Sequence, residues 1–592
     1  MSLNTENDEH NEQSSVEQMR HSASHVLAQA VLKLFPKAKL GIGPAIDTGF
    51  YYDFDLPRPL KNEDLEAIEK EMRAIIKKDL PLVRKELPRE DVVEMYENDD
   101  QGYKIDLIED IPDQQLSLYV TGNDEFYDLC RGPHVESTGK IGAFVLDRIA
   151  GAYWRGDENK PMLQRIYGVA FPTKAELDEY LENRAKLELV DHRRLGKVMN
   201  LFSFHDESPG NAFWHPNGLR LLHRLMDYWR AVHTERGYLE VRTPVLLTKE
   251  TWEQSGHLDN FAEKMYMVKT FDAKDYNYCV KPMNCDGGII IYRSRQRSYK
   301  ELPLRMGEIG VVHRYESSGE THGLLRVREF TQDDAHIYCT TEQVKSELQG
   351  VIDLCLEFYR TFGLSVHHIE LSTRPEKSTG SDEIWEKAES IMREVLKEGD
   401  IEHQIHEGDG AFYGPKFDLH LEDSMGRSWQ CGTIQLDFAQ PENFELEYVD
   451  EKGEKVRPIM IHRVVYGSLE RFVGILIENY GGNLPLWLAP EQVRVVPISV
   501  RHHGFAESVE NQLKKRGVSV TLDNRGETMQ ARIRDAEIEK IPYVLIIGDK
   551  EVENNTVSVR PHAKKDEGMV ELSSFITMIT KEIQDKTYAG NE

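Results

Sequence analysis

The strongest constraint on the fold is a change of pattern at the segment WLAP, residues 487–490. Beyond it, short apolar runs alternate with helical patterns: VRVVPISV, a helix over 505–516, VSVTLD, a helix over 528–539, YVLIIG, TVSVRP and a closing helix. Strands that alternate with helices in this way predict a small α/β domain of the βαβ type. Residues 491–592 are therefore expected to fold as a domain of their own.

The rest of the chain is too long for one further core. The protein has 592 residues, and single hydrophobic cores stop growing at roughly 250–300 residues. Three or four domains are therefore expected. The polar start of the chain predicts disorder, and a charged helical pattern predicts a connector. The predicted segments before the last domain are a disordered tail over 1–18, a domain over 19–171, a helical linker over 172–200 and a large domain over 201–490.

The charge of the chain is unevenly distributed. The net charge is −29, which by itself argues against nucleic acid as a partner. Residues 492–592, however, carry 15 Lys and Arg against 16 Asp and Glu, so this segment is close to neutral. An acidic protein can still bind RNA through a local basic face.

Composition also bears on location. No apolar run reaches about 18 residues, so no membrane span is predicted. The N-terminus, MSLNTENDEHNEQSSVEQ, has neither the layout of a secretory signal nor that of a transit peptide. Six scattered cysteines form no disulfide framework, which is typical of a reducing compartment. We therefore expect a cytoplasmic protein.

Two segments of the central block carry arginines in positions suited to phosphate. Arg314 follows the apolar run GVVH, and after the loop SSGETHG a second predicted strand, LLRVREF, carries Arg326 and Arg328. Arginines on two such strands could hold a phosphate, and a surface hairpin with salt bridges fits equally well. Arg471 stands at the head of the apolar helix RFVGILIENYGG. It could bind a phosphate there or be a surface cation at a helix start.

Other residues could bind a metal. HSASH places His21 and His25 one helical turn apart, and CRGPH places Cys130 and His134 four residues apart. This pattern is consistent with a metal tetrad or with satisfied core histidines. Cys285, His336 and His462 could also be ligands, but they are far apart in sequence, so no local spacing marks them as a metal site.

The three central segments, taken in chain order, resemble motifs 1, 2 and 3 of the class II aminoacyl-tRNA synthetases. They are the helix Leu219–Arg236 with GYLEVRTPVL, the arginine hairpin and the Arg471 helix. More specific segments resemble threonyl-tRNA synthetases: MNC (283–285), RVREFTQDDAHIYC (326–339), GAFYGPKFD (410–418), QCGTIQLDF (430–438) and MIHR (460–463). The resemblance runs from His21 to the C-terminal region. It implies an α+β multidomain fold: a class II antiparallel sheet flanked by helices, an N-terminal α+β editing domain and a C-terminal α/β anticodon-binding domain.

The resemblance implies an ATP site used with Mg²⁺. Arg314 would hold the α-phosphate while the threonine carboxylate attacks it, and Arg326 and Arg471 would hold the outgoing phosphates. The remaining implied roles are adenine contact by Glu316, stacking by Phe330, ribose contact by Gln430, assistance at the adenylate by Lys416 and placement of His257 near the terminal ribose of the tRNA.

The resemblance also implies one Zn²⁺ per subunit, bound by Cys285, His336 and His462. A three-ligand zinc leaves coordination open, as in catalytic sites. Threonine and valine have the same shape, and an apolar pocket separates them by only about 100-fold. A zinc that binds the threonine amino group and hydroxyl makes the hydroxyl obligatory. The substrate ammonium would pair with Asp334, and the pocket would be completed by Met283, Gln332, Tyr413 and Gln435.

Serine would pass this zinc test, because it has the same hydroxyl and lacks only one methyl, worth about 1–3 kcal/mol. A second, hydrolytic site is therefore expected. The segments HSASHVLAQA, GIGPAIDTGFYYDFD, DLCRGPHV and AGAYWRGD resemble the editing domain shared by threonyl- and alanyl-tRNA synthetases. In the threonyl branch this site is interpreted as activating water without a metal to hydrolyse seryl-tRNA(Thr). The implied residues are His21, His25, Cys130, His134, Lys104, Asp128 and Tyr52.

The C-terminal block resembles the anticodon-binding domain of several class II synthetases, with GDKE (548–551) and VSVR (557–560) as landmarks. Glu551 and Arg560 match positions that contact anticodon bases, and Lys540 stands where the family often has Arg. The implied partners are tRNA(Thr), L-threonine and a second copy in a homodimer.

The chain departs from the family pattern in two places. Many relatives begin with a small ubiquitin-like domain, and we expect a form that lacks it. The segment after MNC continues as Cys285-Asp286-Gly287-Gly288, where the family commonly has Cys-Pro-Gly-His. This places an extra carboxylate near the expected zinc and is expected to loosen the chain.

Three alternatives to a threonyl enzyme follow from the same residues. Another class II synthetase, such as a prolyl or seryl enzyme, would not need the complete Cys285, His336 and His462 set. A non-enzymatic RNA-binding regulator would be expected to lose one of the three motif arginines. A simple metal hydrolase is the most distant alternative.

Overall fold

The computed structural model of the protein describes residues 5–157, 159–317 and 319–586. The chain divides into two compact units, Met1–Lys186 and Leu187–Glu592. Among the described residues, no helix combines the length and the apolar character needed to cross a membrane.

The described residues of the first unit form five α-helices, the last of which continues past the end of the unit, and eight strands. They are α1 (Thr5–Leu34), β1 (Lys39–Leu40), β2 (Ala45–Ile46), β3 (Gly49–Asp55), α2 (Asn62–Lys77), β4 (Leu82–Pro88), α3 (Arg89–Asn98), α4 (Gly102–Glu109), β5 (Gln115–Thr121), β6 (Phe126–Leu129), β7 (Ala143–Tyr153), β8 (Met162–Phe171) and α5 (Lys174–Val190).

Two sheets form the frame of this unit. One has the order β1-β3-β8-β7, with β2 paired to β3, and the other has the order β4-β5-β6. Helix α1 packs across the first sheet, and its buried residues Ala23, Val26, Leu27, Ala30 and Val31 join the core with Phe50 and Tyr52 of β3. This position brings the HSASH histidines to the neighbourhood of β6.

The start of α1 corrects the prediction of a disordered tail over residues 1–18. Helix α1 already begins at Thr5, and residues 1–4 lie outside the described part of the chain. Val16 packs against the core and Met19 is 5% exposed. Once a helix is anchored by packing, each further residue adds one hydrogen bond without a new nucleation cost. The anchored turns after Val16 therefore extend toward the N-terminus.

The central part of the second unit contains nine helices and sixteen strands. They are α6 (His192–Val198), β9 (Phe202–Phe204), β10 (Ala212–Trp214), α7 (Pro216–Glu235), β11 (Leu239–Glu240), β12 (Leu246–Thr248), α8 (Lys249–Gln254), α9 (His257–Phe261), β13 (Tyr266–Val268), β14 (Tyr278–Val280), α10 (Cys285–Arg293), β15 (Arg297–Ser298), β16 (Leu304–His313), β17 (Glu329–Cys339), α11 (Val344–Thr361), β18 (Ser365–Ser372), α12 (Asp382–Glu398), β19 (His403–His406), β20 (Lys416–Glu422), β21 (Ser428–Asp437), α13 (Ala439–Asn443), β22 (Tyr448–Val449), β23 (Lys455–Val456), β24 (Ile459–Val464) and α14 (Leu469–Asn479).

An eight-stranded sheet of order β11-β16-β17-β24-β21-β20-β18-β19 dominates this part. Its six middle strands run antiparallel to their neighbours, and only the edge strands β11 and β19 pair in parallel. Helices α7, α11 and α14 bury their apolar sides in one core with this sheet. Because side chains alternate between the faces of a strand, other residues of these strands point to the opposite face. There Leu304, Met306, Tyr338 and Met460 form a smaller core with Cys285 and Ile289 of α10.

The predicted linker is helical, as α5 and α6, but its second half belongs to the large unit. Leu195 and Met199 lie in the main core. His192 is fully buried, and both of its ring nitrogens are used: Nδ1 lies 2.5 Å from Glu478 Oε1 of α14, and Nε2 accepts from the Leu324 amide at 2.9 Å. A histidine satisfied on both sides is a structural one. The linker is therefore anchored to the loop that precedes β17.

The arginine hairpin also differs from the prediction. Strand β16 ends at His313 and β17 begins only at Glu329. Residues 324–328, predicted as the start of the second strand, lie in the connecting loop. Leu324 and Leu325 are buried in the core, so local packing holds them out of the ladder. Arg326 consequently projects from a loop and not from a strand.

In the C-terminal part, the residues that the structure describes, up to 586, form four α-helices and five strands. They are β25 (Val493–Pro497), α15 (His503–Lys515), β26 (Val520–Leu522), α16 (Met529–Ile538), β27 (Tyr543–Ile547), α17 (Asp549–Asn554), β28 (Thr556–Pro561), β29 (Gly568–Glu571) and α18 (Leu572–Asp585).

The predicted alternation of strand and helix is confirmed in this part. The sheet has the order β26-β25-β27-β28-β29, with β25 parallel to β26 and to β27. Strands β28 and β29 continue the sheet antiparallel. Helices α15 and α18 pack on it through Ala506, Val509, Leu513, Phe575 and Ile579.

Candidate active site

The register of the large sheet aligns the predicted residues in one row. His336 of β17 pairs with His462 of β24, His462 with Gln435 of β21, and Gln435 with Lys416 of β20. Residues in register on antiparallel strands point to the same face. Four residues that are far apart in sequence therefore lie side by side on the face away from the core helices.

Two neighbouring cavities open on this face. The first, which we call the inner cavity, is lined by ten of the predicted residues: Met283, Cys285, Arg314, Gln332, Asp334, Tyr413, Lys416, Gln430, Gln435 and His462. The second, the outer cavity, is lined by Arg314, Glu316, Arg326, Phe330, Gln332, Gln430 and Arg471. Both cavities share Arg314, Gln332 and Gln430. The residues expected for ATP and those expected for threonine thus meet at Arg314.

Arg314 is fixed where the cavities join. Its Nε donates to the Pro282 carbonyl at 3.1 Å, and its guanidinium carbon lies 5.1 Å from the centre of the Phe330 ring and 5.5 Å from that of Phe261. Burial lowers its pKa from the usual arginine value. A partly buried guanidinium held by one carbonyl and two rings still has free donors for an anion.

The other two arginines differ in how they are held. Arg471 is the third residue of α14, its amide donates to Ser468 Oγ at 3.1 Å, and its Nε is buried without a partner. A buried guanidinium donor without an acceptor at a helix N-terminus suits a phosphate. Arg326 is half exposed and donates to Glu316 Oε2 at 3.0 Å. Glu316 also accepts from Lys264 Nζ at 2.8 Å.

Of the three expected zinc ligands, Cys285 and His462 line the inner cavity, and His336 lies beside His462. Cys285 begins α10 and is 3% exposed, and the rings of His336 and His462 lie 4.9 Å apart. His336 Nε2 is buried without a hydrogen-bond partner. His462 Nε2 contacts Asp437 Oδ2 at 2.7 Å. A carboxylate on one ring nitrogen is the usual support of a metal-bound histidine, so these residues fit a zinc ion.

A different set of possible metal ligands lies close together in this region. Of the described residues beside the inner cavity, His257, Cys285 and Asp286 have ligand atoms that all lie within 4.8 Å of one another. Asp286 is fully buried, its Oδ1 lies 3.3 Å from Cys285 Sγ, and its Oδ2 has no partner. Burial raises the pKa of Asp286 to about 7. The departure from the family pattern thus places a carboxylate directly against the expected ligand.

His257 is fully buried, its Nδ1 contacts Ser255 Oγ at 2.7 Å, and burial lowers its pKa to about 3. Its placement near the terminal ribose of the tRNA stays a prediction. One expectation for this region needs correction: Gly287 and Gly288 do not loosen the chain, because both are buried within α10. A Cβ at Gly287 would lie 2.5 Å from the Thr243 Cβ, so close packing requires glycine there.

Three acidic residues that support the site escaped sequence reasoning. Asp437 holds His462, while Asp409 and Asp418 each contact Lys416 Nζ at 3.0 Å. Asp418 and Asp437 lie inside the quoted segments GAFYGPKFD and QCGTIQLDF, on the same strands as Lys416 and Gln435. Strand alternation carries Asp418 to the active face, which is the signal that could have identified it.

The predicted editing residues come together in the first unit. Cys130 Sγ lies 3.5 Å from His21 Nε2 and 3.3 Å from His134 Nε2, and the ring centres of His25 and His134 lie 4.2 Å apart. Ligand atoms of all four residues lie within 4.8 Å of one another. Burial raises the pKa of the Cys130 thiol to about 11 and lowers the pKa of all three histidines. The group therefore presents a neutral thiol and neutral imidazoles.

The remaining editing residues form a buried support beside this group. Asp128 Oδ1 contacts Lys104 Nζ at 2.5 Å, and Asp128 Oδ2 accepts from the Tyr52 hydroxyl at 2.5 Å. The same Oδ2 lies 3.8 Å from His25 Nε2. Lys104 and Asp128 are both almost fully buried. Their ion pair therefore holds both side chains in place, and Asp128 in turn holds one edge of the His25 ring.

The predicted anticodon residues are separately placed. Glu551 is 8% exposed; its carboxylate accepts from the Gly548 amide and from Ser558 Oγ, both at 2.8 Å. Arg560 pairs with Asp566 at 3.0 Å, and Lys540 follows α16 with a positive φ of 62°. Glu551 is thus engaged within the fold, and contact with anticodon bases stays a prediction for all three.

Comparison with known protein families assigns most of the chain. The family described as the tRNA synthetase class II core domain (G, H, P, S and T) matches residues 266–480, and the anticodon binding domain matches residues 492–582. The threonyl and alanyl tRNA synthetase second additional domain matches residues 116–167. The expected combination of class II core, editing domain and anticodon-binding domain is therefore confirmed.

Similar whole proteins carry one name. A threonine--tRNA ligase of Desulforamulus reducens is 53% identical over 96% of this chain and 89% of its own length. One from Caldanaerobacter subterraneus subsp. tengcongensis is 53% identical over 96% of this chain and 87% of its own. A crystal structure of the RNA binding domain of the threonyl-tRNA synthetase from Cryptosporidium parvum covers 66% of this chain and 98% of its own, with 38% identity and a TM-score of 0.63.

Proposed function

The chain belongs to the threonine–tRNA ligase family, and we propose that the residues described above divide its reactions among three sites. The enzyme activates L-threonine with ATP and Mg²⁺ to threonyl-adenylate and transfers it to tRNA(Thr). It hydrolyses seryl-tRNA(Thr) when serine is charged by mistake. The observation that carries the assignment of sites is the junction of the inner and outer cavities at Arg314.

The outer cavity is the proposed ATP site. Arg471 and Arg326 hold the outer phosphates, Glu316 contacts the adenine, and Phe330 stacks on it. Arg326 reaches a phosphate only after it leaves Glu316, so ATP binding exchanges one ion pair for another. Gln430 lies in both cavities, which suits a contact to the ribose between adenine and the reacting phosphate.

Adenylate formation takes place at the junction. A carboxylate oxygen of threonine bonds to the α-phosphorus, and the bond to the departing pyrophosphate breaks. Arg314 stabilises the negative charge that builds up on the α-phosphate oxygens, because a preorganised buried cation costs no reorganisation at that moment. Lys416, held in place by Asp409 and Asp418, helps to stabilise this negative charge.

The inner cavity is the proposed threonine pocket. Cys285, His336 and His462 would hold a zinc ion, which would supply a Lewis acid for the amino group and hydroxyl of threonine. Asp334 would accept a hydrogen bond from the same amino group, and burial raises the pKa of its carboxyl to about 6. A zinc ion on the neighbouring ligands would oppose that effect by favouring the ionised carboxylate. The Tyr413 hydroxyl donates to Gln435 at 2.7 Å, which fixes both side chains of the pocket wall.

Amino-acid-dependent ATP–pyrophosphate exchange tests this assignment directly. We expect threonine to drive exchange, serine to drive it weakly and valine not at all. Serine retains the hydroxyl and loses one methyl, worth about 1–3 kcal/mol, while valine lacks the hydroxyl altogether. Absence of threonine-dependent exchange in zinc-loaded protein would leave an RNA-binding protein on a synthetase scaffold as the better explanation.

The His21, His25, Cys130 and His134 group is the proposed hydrolytic site. Its imidazoles are neutral at neutral pH, so one of them can accept a proton from a water that attacks the seryl ester. Cys130 remains a thiol at that pH, which argues against a thiolate nucleophile. Lys104, Asp128 and Tyr52 hold the site in shape.

Replacement of His134 by alanine is expected to slow deacylation of seryl-tRNA(Thr) by about 10²–10⁴-fold, the range for loss of a general acid or base. Threonine-dependent pyrophosphate exchange should be unchanged, because that reaction belongs to the other unit. The measurement is release of labelled serine from preformed seryl-tRNA(Thr). Tyr119→Phe is the matched control, since the Tyr119 ring lies 4.3 Å from the His134 ring and only its hydroxyl is removed. Equal losses in both variants would contradict the assignment.

Three finer assignments complete the proposal. The C-terminal domain binds the anticodon. Its near-neutral charge is better suited to contact with RNA than the strongly acidic charge of the rest of the chain. A homodimer is supported by exposed apolar residues on and after the motif 1 elements, namely Leu219, Leu239, Val245 and Leu246. A cytoplasmic location is supported by six cysteines that are all free.

A further inference from the structure

A histidine–glutamate–histidine group lies on the sheet outside both cavities. His368 of β18 pairs directly with His420 of β20, and Glu370 lies two residues further along β18. The three side chains therefore share one face of the sheet. It is the face that carries Lys416 and Asp418 on β20. His420 is four residues beyond Lys416, which is about 13 Å along the strand.

The three side chains converge on one point. His368 Nε2 lies 2.9 Å from Glu370 Oε1, and His420 Nε2 lies 3.3 Å from Glu370 Oε2. Ligand atoms of all three residues lie within 4.8 Å of one another. The side chains are 18%, 19% and 18% exposed for His368, Glu370 and His420. The group is thus held by the sheet on one side and remains open to solvent on the other.

Protein contacts alone leave this group unsatisfied. His420 Nε2 makes no hydrogen bond despite its distance to Glu370, and His368 Nδ1 is buried without a partner. The two rings stack 4.4 Å apart at an angle of 12°, so protonation of both would place like charges in contact. Burial lowers the pKa of His420, which favours its neutral form. A neutral ring can place a lone pair on Nε2 facing the carboxylate, an arrangement that a cation between them would stabilise.

The neighbouring groups support the same conclusion. His420 Nδ1 lies 3.4 Å from Ser428 Oγ, an outer contact of the kind that fixes the tautomer of a metal-bound histidine. Asp418, paired with Glu370 across the strands, is already engaged by Lys416 and Thr433. His367, the preceding residue, lies 3.6 Å from Glu422 and is half exposed. Neither competes for the three converging atoms.

We propose that His368, Glu370 and His420 bind a divalent transition-metal ion at a site distinct from Cys285, His336 and His462. Two imidazoles and one carboxylate select zinc, nickel, cobalt or copper over magnesium and calcium, which prefer oxygen ligands alone. Three protein ligands on an open face leave the other coordination positions to water or a small ligand. Because the ion joins β18 to β20, it fixes the strand that carries Lys416 and Asp418.

Metal stoichiometry tests the proposal. The metal-free full chain is titrated with Zn²⁺ alone, and bound ions per chain are counted by calorimetry and elemental analysis. We expect the variant His368→Gln/His420→Gln to bind one ion fewer than the unaltered chain. His367→Ala is the matched control and should bind the same number as the unaltered chain. Glu370→Gln, which keeps the shape, should weaken binding at this site by at least about tenfold.

Cobalt separates this site from those that contain cysteine. Co²⁺ bound to a thiolate gives a charge-transfer absorption, whereas ions bound by histidine and glutamate do not. The double variant should lose one Co²⁺ and keep the full thiolate absorption. The proposal is overturned if its stoichiometry is unchanged, or if His367→Ala lowers it equally, which would indicate adventitious surface binding. If the double variant loses its fold by circular dichroism, the affinity of the isosteric Glu370→Gln variant decides.

Discussion

Replacing Arg314 by alanine is expected to lower the kcat of threonine-dependent pyrophosphate exchange by about 10²–10³-fold, the usual cost of removing one preorganised donor to a transition state. Arg314 is the arginine that lines both cavities. In the proposed mechanism, the charge that develops during adenylate formation appears where these cavities meet. Because this contact strengthens in the transition state, kcat and kcat/KM should fall together, while the KM for threonine changes little.

Two further variants test whether Arg314 acts through the shape and position of its guanidinium or only through its positive charge. Arg314→Lys keeps a positive charge and loses the planar fork, so it should recover only part of the rate. Arg471→Ala removes a group that contacts only the outgoing phosphates in the proposal, so its main effect should be a higher KM for ATP. Arg230 pairs with Glu240 at the surface, so Arg230→Ala is the control. It should change neither kcat nor the KM for ATP. A normal kcat in Arg314→Ala would refute the proposed junction.

Much of the fold could be predicted because its signals are local. The alternation of apolar strands and helices after residue 490 required no long-range information, and it matches β25 to α18. Helix α1 was recognised from its apolar spacing over His21–Leu34. The predicted start of this helix was wrong, because it depends on the packing of Val16 and Met19 against the core. Helix propensity and residue spacing give no information on such tertiary contacts.

The candidate sites needed a different kind of information. No spacing marks Cys285, His336 and His462, and only strand register brings the two histidines side by side. These three residues were identified by resemblance to a known family and not by a physical argument from the sequence. The resemblance did not supply the surroundings of this particular chain. His257 was expected near the substrate and lies fully buried against Cys285 and Asp286, and Glu551 is engaged by its own helix start.

Loss of Cys285, the proposed zinc ligand, is expected to remove most of the enzyme's preference for threonine over valine. In the unaltered chain, valine should be rejected by about 10⁴–10⁵-fold, the range for sites built around a substrate hydroxyl. In Cys285→Ala, zinc content should fall and threonine activation should drop toward the level of valine. Without the zinc, the hydroxyl is no longer obligatory for binding, so the remaining preference for threonine over its isostere should be at most about 100-fold. The measurements are bound zinc and exchange rates for both amino acids.

Two variants test whether this loss arises from the ion and not from damage to the fold. Cys279→Ala removes another fully buried cysteine, outside the inner cavity, and should retain both zinc and threonine activation. Asp286→Asn keeps the shape of the buried carboxylate beside Cys285 Sγ and removes its charge. Because that carboxylate has an oxygen without a partner, we expect it to support the ion and its loss to weaken zinc binding by about tenfold. If Cys285→Ala keeps full zinc content, the ion is bound elsewhere, and threonine selection must rest on Asp334 and Gln435 alone.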